Sequence, residues 1–279
     1  MKNLWLASPH MCNAQCLDFV REVARLEDVK DQSVLEVGAL DVNGSPRTVL
    51  QALAPASYVG VDLVEGPGVD LVCAAESLID EFGSKAFDVV VTTEMIEHVG
   101  DWRLVVSNLK HVLAPNGLLL LTTRSLGFPY HEYPNDYWRF QPSDMRIIFS
   151  DFEIDRIDED DAESPGVFVA ARRPEAFEEV NLEGLALYSM ICERRAATVE
   201  QAKEWGELRT EIRDLRAALD AAIAQVQGLE TSLDESRVNS GQFEKELKAL
   251  RNTRTFRYTA GVRTIHTRLR SMHIRKANP

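Results

Sequence analysis

Val34-Leu35-Glu36-Val37-Gly38-Ala39-Leu40-Asp41-Val42-Asn43-Gly44-Ser45, answered downstream by Tyr58-Val59-Gly60-Val61-Asp62, is the stretch that decides the fold of this chain. The first apolar run reads as a buried strand, the glycine as a sharp turn at its carboxyl end, and the second run as a neighbouring strand closing on an acid. Lacking a Cβ, Gly38 lets the backbone turn tightly and approach a ligand. An acid ending the next strand can accept both hydroxyls of a ribose. Together they describe a nucleoside-binding site.

The loop also says which nucleoside is unsuitable. A dinucleotide site needs G-x-G-x-x-G so that a pyrophosphate can rest on helix amides, whereas Leu40 and Asp41 follow here and an acid repels phosphate. S-adenosylmethionine has no phosphate and carries cationic sulfonium and ammonium groups. With Glu36 and Gly38 as its acid-x-Gly signature, the loop resembles the first motif of class I S-adenosylmethionine-dependent methyltransferases. Phe87-Asp88-Val89-Val90-Val91-Thr92-Thr93-Glu94-Met95-Ile96-Glu97-His98-Val99 resembles that family's fourth-strand motif. Leu113-Ala114-Pro115-Asn116-Gly117-Leu118-Leu119-Leu120-Leu121-Thr122-Thr123 resembles the turn and fifth strand after it. The likeness spans about residues 11 to 173 and is nearest to the small bacterial type 11 domains. It implies S-adenosylmethionine as cofactor, with Glu36, Gly38, Asp62 and Glu94 as cofactor-binding residues. Two departures stand out: Leu40 and Val42 replace later loop glycines, and Cys73-Ala74-Ala75 offers no carboxylate for adenine, leaving backbone groups or Glu76.

Periodicity places strands near 33–37, 58–62, 69–72, 87–93 and 118–123, with helices at about 11–27, 46–53, 76–82, 101–113 and 142–149. Phe152-Glu153-Ile154 and Val167-Phe168-Val169-Ala170 read as a closing hairpin, and the resemblance implies that one of its strands is antiparallel. The expected fold class is thus α/β, a doubly wound, mostly parallel Rossmann-like sheet in residues 1–173. A helical linker is expected at 174–204. From Trp205 an apolar heptad runs through Ile212, Leu219, Val226, Leu233 and Leu247 at one position and Leu208, Leu215, Ala222, Leu229, Phe243 and Leu250 at the other. Such a pattern over 205–250 favours a parallel two-stranded coiled coil and hence a homodimer, and Glu204–Arg209, Glu211–Arg216 and Glu246–Arg251 have the spacing of attraction between partner chains. A lone amphipathic helix folded back on the domain is the alternative. Val238-Asn239-Ser240-Gly241 is a weak point where the rod could hinge.

Charge is uneven. The chain has formal net charge -13, yet residues 247 to 279 hold nine of its 31 cations and none of its 44 acids. An acidic body repels nucleic acid, so no nucleic-acid partner is expected. In the basic tail at 251–279, Tyr258, Val262, Ile265, Leu269 and Met272 form one stripe, with arginines around it, as in helices that lie on anionic membranes. No apolar run nears the roughly 18 residues of a spanning helix, and Leu4-Trp5-Leu6-Ala7 is too short for a secretory signal core. A cytoplasmic protein is expected, peripheral at the inner membrane face if the tail binds lipid. The four cysteines form no C-x-x-C; His10, Cys12 and Cys16 read as helix packing rather than ligands, and no metal is expected.

Methyl transfer from a sulfonium is an in-line displacement in which the protein holds the acceptor behind the methyl group. A hydroxyl acceptor must also lose its proton to a base within hydrogen-bond reach. Arg124 to Phe140 is rich in aromatics and carries His131, Glu132 and Asp136, making His131 the first base candidate and Asp136 its companion. His98 is the second, on the expectation that Glu94 and His98 share one helix face. Aromatic faces beside carboxylates suit a sugar. Leu250-Arg251-Asn252-Thr253-Arg254-Thr255-Phe256-Arg257-Tyr258-Thr259-Ala260-Gly261-Val262-Arg263 resembles a tail of bacterial enzymes of cell-surface polysaccharide assembly, with Gly261 in place of its usual proline. The expected function is O-methylation of a saccharide or glycolipid. The alternatives are a small-lipid or quinone acceptor, and a non-catalytic methyltransferase-like domain on a coiled-coil scaffold, against which Glu36, Gly38 and Asp62 argue.

Overall fold

The computed structural model describes residues 14–42, 44–131, 135–160 and 163–276; His10, Cys12, Asn43, Glu132 and the side chains of Met272 and Arg275 lie outside the described set. In chain order the elements are α1 (Ala14–Val23), α2 (Leu26–Val29), β1 (Ser33–Val37), α3 (Arg47–Gln51), β2 (Ser57–Asp62), β3 (Leu71–Val72), α4 (Leu78–Phe82), β4 (Phe87–Thr93), α5 (Trp102–Val112), β5 (Leu113–Arg124), β6 (Trp138–Arg139), α6 (Pro142–Ile148), β7 (Glu153–Glu159), β8 (Gly166–Arg172), β9 (Leu187–Ser189), β10 (Arg194–Ala196), α7 (Val199–Arg251) and α8 (Arg254–Lys276). Seven strands form one sheet in the order β3-β2-β1-β4-β5-β8-β7. Its first five strands are parallel, and β8 runs antiparallel to both neighbours.

Alternation along the strands divides the core into two layers. Val34, Val89, Val91, Leu118 and Leu120 face Cys16, Phe19 and Val20 of α1 and Leu50 of α3. Leu35, Val37, Val90, Leu119 and Leu121 face Val105, Val106 and Leu109 of α5 and Met145 and Ile148 of α6. Because both faces are covered, the central strands are continuously apolar rather than alternating. At the start of α5, the Asp101 side chain accepts from the Leu104 amide at 3.1 Å, which caps the helix and aims it back along the sheet. The carboxyl ends of β1, β2, β4 and β5 bring Gly38, Asp62, Glu94 and Thr123 to one edge, where ligands of open α/β sheets lie.

The helical linker expected at 174–204 is not formed. Instead β9 and β10 join β6 in a second, antiparallel sheet of order β10-β9-β6. Leu182, Leu187, Cys192, Ala196, Val199 and Ala202 complete the core layer on the α5 side. Arg103 of α5 ties the segment down, donating to the carbonyls of Leu182 at 2.9 Å, Ala197 at 2.5 Å and Leu185. The compact unit therefore ends at Arg209 rather than at 173, and Thr210–Pro279 form a second unit. Strands of three residues carry little local signal, and their partner β6 lies some fifty residues upstream, so the pairing is invisible to a local reading.

The start of the heptad changes as well. Trp205 packs against the core with the Arg194 guanidinium 4.2 Å above its ring, and Arg209 pairs with Glu193 at 2.5 Å within the chain, so neither serves a coil seam. Beyond them Leu215, Leu219, Val226, Leu229, Phe243 and Leu250 are exposed along a continuous α7, which runs unbroken through Gly241. Among the described residues no helix is long and apolar enough to cross a membrane.

Candidate active site

A cleft of about 310 Å³ opens at the carboxyl edge of the sheet. The β1 turn forms its floor. Gly38 has φ +81°, and a Cβ there would come within 2.8 Å of Met95, so only glycine fits. Asp62, at the end of β2, accepts from the Leu40 amide at 3.2 Å and the Val64 amide at 3.3 Å, which fixes the carboxylate at the cleft mouth and braces the loop. Each carboxylate oxygen has a further lone pair, so two ribose hydroxyls can still be accepted. Cys73, Ala75 and Glu76 line the same end, where an adenine would lie, without an acid at Ala74.

Glu36 faces the layer beneath. It accepts from the Ser45 hydroxyl and the Tyr58 phenol, each at 2.8 Å, with the Arg47 Nε 3.9 Å away. Burial pushes its carboxyl up to about 7, against the opposing pull of these hydrogen bonds and of Arg47. Its role in the structure is thus to clamp the loop and β2 together from below, although it also lines the cleft.

Glu94 and His98 do not share a helix face. Glu94 takes a left-handed conformation, φ +54°, directly after β4, and a 3-10 turn at Ile96–His98 follows. The kink sends the Glu94 carboxylate inward to the buried Arg124 guanidinium and the Thr122 hydroxyl, the latter at 3.0 Å. The acid placed beside His98 is Glu97, which no spacing rule singled out. Glu97 is fully buried and accepts from the Thr123 hydroxyl at 2.7 Å.

The segment after β5 folds over this edge. His131 Nδ1 lies 3.1 Å from Asp136 Oδ2, and the rings of His131 and His98 meet edge to face at 4.8 Å. Burial opposes ionisation of Asp136, but the Arg139 guanidinium and His131 outweigh it and hold the carboxyl well below the usual carboxylate range. Asp136 and Arg139 are themselves buried, so the pair is a fixed support for the imidazole. His98, Asn135 and Tyr137 line the cleft, while His131 stands behind His98. The aromatic character of the segment is largely spent on packing: Trp138 and Phe140 are in the core, and Tyr130 is exposed.

The cleft therefore has two ends, one at Gly38 and Asp62 and one lined by His98 with His131 behind it. The chain matches the methyltransferase domain family over residues 12–157. No curated protein matches it. Among solved structures it is similar to a Burkholderia thailandensis 1,6-didemethyltoxoflavin-N1-methyltransferase bound to 1,6-didemethyltoxoflavin and S-adenosylhomocysteine, with 16% identity over 57% of this chain and 78% of that one and a TM-score of 0.47. An S-adenosylmethionine-dependent methyltransferase from Mesorhizobium loti is 16% identical over 56% of this chain and 96% of its own, with a TM-score of 0.44. One from Methanosarcina mazei is 15% identical over 56% and 97%, with a TM-score of 0.42. With more than half of its length in the family match and a turn at Gly38 that only glycine can fill, the chain belongs to the methyltransferase domain family and is an S-adenosylmethionine-dependent methyltransferase.

Proposed function

We propose that the chain methylates a hydroxyl of a saccharide or glycolipid. S-adenosylmethionine supplies an electrophilic methyl group on a sulfonium. Gly38 admits it against the β1 turn, Asp62 holds the ribose, and Cys73, Ala75 and Glu76 enclose the adenine. The acceptor enters between Tyr137 and His98, and the histidine end takes the proton that the hydroxyl loses. His131 is the leading base, kept with Nδ1 toward Asp136 and with its ring behind that of His98; His98, which lines the cleft, is the second. The observation that carries this reading is the supported imidazole, His131 on Asp136 and Asp136 on Arg139, beside a cleft whose other end fits a nucleoside.

The saccharide class is favoured by Tyr137 at the cleft and by the likeness of the Leu250 to Arg263 phrase to tails of polysaccharide-assembly enzymes. The exposed heptad from Leu208 to Leu250 supports pairing with a second copy of the chain. The test is methyl transfer from labelled cofactor to a panel of sugars, glycolipids, catechols and quinones. Label in a base-stable ether of a sugar supports the reading; label only on quinone or lipid acceptors replaces the substrate class. No transfer to any of them, with cofactor binding intact, favours the scaffold alternative.

A further inference from the structure

We propose that Glu97, His98 and His131 form a binding site for a divalent transition-metal ion of the zinc, manganese or cobalt type. Glu97 Oε1 lies 3.8 Å from His131 Nε2 and 4.0 Å from His98 Nε2, and the three atoms all fall within 4.8 Å of one another. Every other polar atom of these side chains is already engaged. Asn135 presents its carbonyl oxygen to His98 Nδ1 at 2.5 Å, and a carbonyl only accepts, so the proton sits on Nδ1. Asp136 does the same to His131 Nδ1, held there by Arg139. Thr123 donates to Glu97 Oε2 at 2.7 Å. In neutral imidazoles both Nε2 atoms are then lone pairs, and they face the remaining carboxylate oxygen.

Two buried acceptors without a partner among the described residues, Glu97 Oε1 and His98 Nε2, aimed with His131 Nε2 at one point, are costly unless something electropositive lies between them. A proton shared between Glu97 and one imidazole, which a small side-chain movement would permit, still leaves the other Nε2 without a donor. A water donates only two hydrogens to three acceptors. A cation bound at about 2.0–2.2 Å from each satisfies all three, and the required ligand spacing of roughly 3.0–3.4 Å is reached by side-chain movements of less than about 1 Å. Two imidazoles and one carboxylate favour transition metals over magnesium or calcium. Each ligand also has the outer partner typical of a metal site: Asn135, Asp136 and Thr123.

His98 lines the cleft, with Glu97 and His131 behind it, so the ion would sit in the back wall of the acceptor end of the proposed site. The inference rests on reading that end as the acceptor side. An acceptor hydroxyl that reached the ion would become more acidic and lose its proton to water. The oxygen then forms its bond to the methyl carbon as the carbon–sulfur bond breaks, the electron pair staying on sulfur to give S-adenosylhomocysteine. In that case His98 and His131 act as ligands rather than as the base.

The experiment uses the full-length, tag-free protein, stripped by chelation and titrated with Co²⁺ and then Zn²⁺ without cofactor or acceptor. One equivalent of Co²⁺ should bind with visible d–d bands that Zn²⁺ abolishes. His131→Ala and Glu97→Gln should each weaken binding at least about 100-fold, and Asp136→Asn by about 10–100-fold. Circular dichroism establishes that a variant is folded, and Glu97→Gln, which keeps the shape and the Thr123 hydrogen bond, serves if a histidine variant is not. Absence of d–d bands, or unchanged affinity in folded Glu97→Gln, overturns the metal site. Metal-free protein that still transfers methyl groups overturns it as a catalytic feature while leaving the methyl-transfer reading intact, with His131 as base.

Discussion

Asp136 Oδ2 receives both the backbone amide of His131, at 2.9 Å, and its Nδ1, at 3.1 Å, so one carboxylate sets the position and the tautomer of the imidazole. The same carboxylate is the counter-charge of the buried Arg139. Asp136→Asn would leave that guanidinium without its partner and should cost about 3–5 kcal/mol near neutral pH. Its folded-state carboxyl lies below the ordinary value, so its contribution is present above about pH 4 and is lost as pH falls below that. The difference between wild type and variant in urea unfolding should therefore shrink below about pH 4. An equal difference at pH 7 and pH 3 would contradict the pairing.

At the cofactor end, a side chain at position 38 meets Met95 and an unfavourable positive φ. Gly38→Val should nearly abolish binding of S-adenosylhomocysteine in calorimetry. Asp62→Ala removes a charged acceptor and should weaken it by about 10–100-fold. Full affinity in both would place the cofactor elsewhere.

Glu36 titrates in the opposite sense to Asp136. Its folded-state carboxyl is raised from 4.5 to about 7, so stability conferred by the protonated form is complete below about pH 4.5 and declines as pH rises to 7. The loss is on the order of 3 kcal/mol. Glu36→Gln keeps an acceptor for Ser45 or Tyr58 and cannot ionise, so its unfolding free energy should exceed that of wild type increasingly from pH 5 to 7.5. A variant weaker than wild type at pH 7.5 would show that the ionised clamp is favourable.

Truncation separates the domain from the helix beyond it. A chain ending at Pro174 loses Leu182, Leu187 and Val199 from the core, each worth roughly 1.5–3 kcal/mol, and should not fold stably. One ending just after Arg209 keeps them and should give a cooperative thermal transition. In light scattering it should be monomeric, and the full chain is expected to be dimeric; a dimer at the shorter length would move the interface off the heptad.

The tail prediction concerns lipid. Tyr258, Val262, Ile265 and Leu269 are exposed on α8, with Arg254, Arg257, Arg263 and Arg268 on the same helix. The full chain should sediment with anionic vesicles at low salt, with each near-surface cation contributing about 1 kcal/mol, and release at high salt. Removal of residues after Leu250 should abolish the effect. Equal recovery of both proteins in the supernatant at low salt would exclude it.

The positions of most strands were legible in the sequence because they rest on local periodicity; the antiparallel strand of the closing hairpin came from the family resemblance, and β5 begins at Leu113, at the end of the stretch read as helix, rather than at 118. Apolar runs between glycine turns encode buried parallel strands whatever surrounds them, and the β1 turn carries its own reason for Gly38. The same locality explains what could be read of the site: Gly38 follows β1 and Asp62 closes β2, strands whose register is set by those runs. Tertiary structure decided the rest. The left-handed Glu94 turned its carboxylate to Arg124 and put Glu97 beside His98, a consequence of one backbone angle that no spacing reveals. β6 paired with β9 some fifty residues on, turning an expected linker into core, and Trp205 packed there instead of continuing the heptad. Periodicity reports which face of an element is apolar, whereas the partner of that face, and the side chains gathered where several elements end, are set by contacts between residues far apart in the chain.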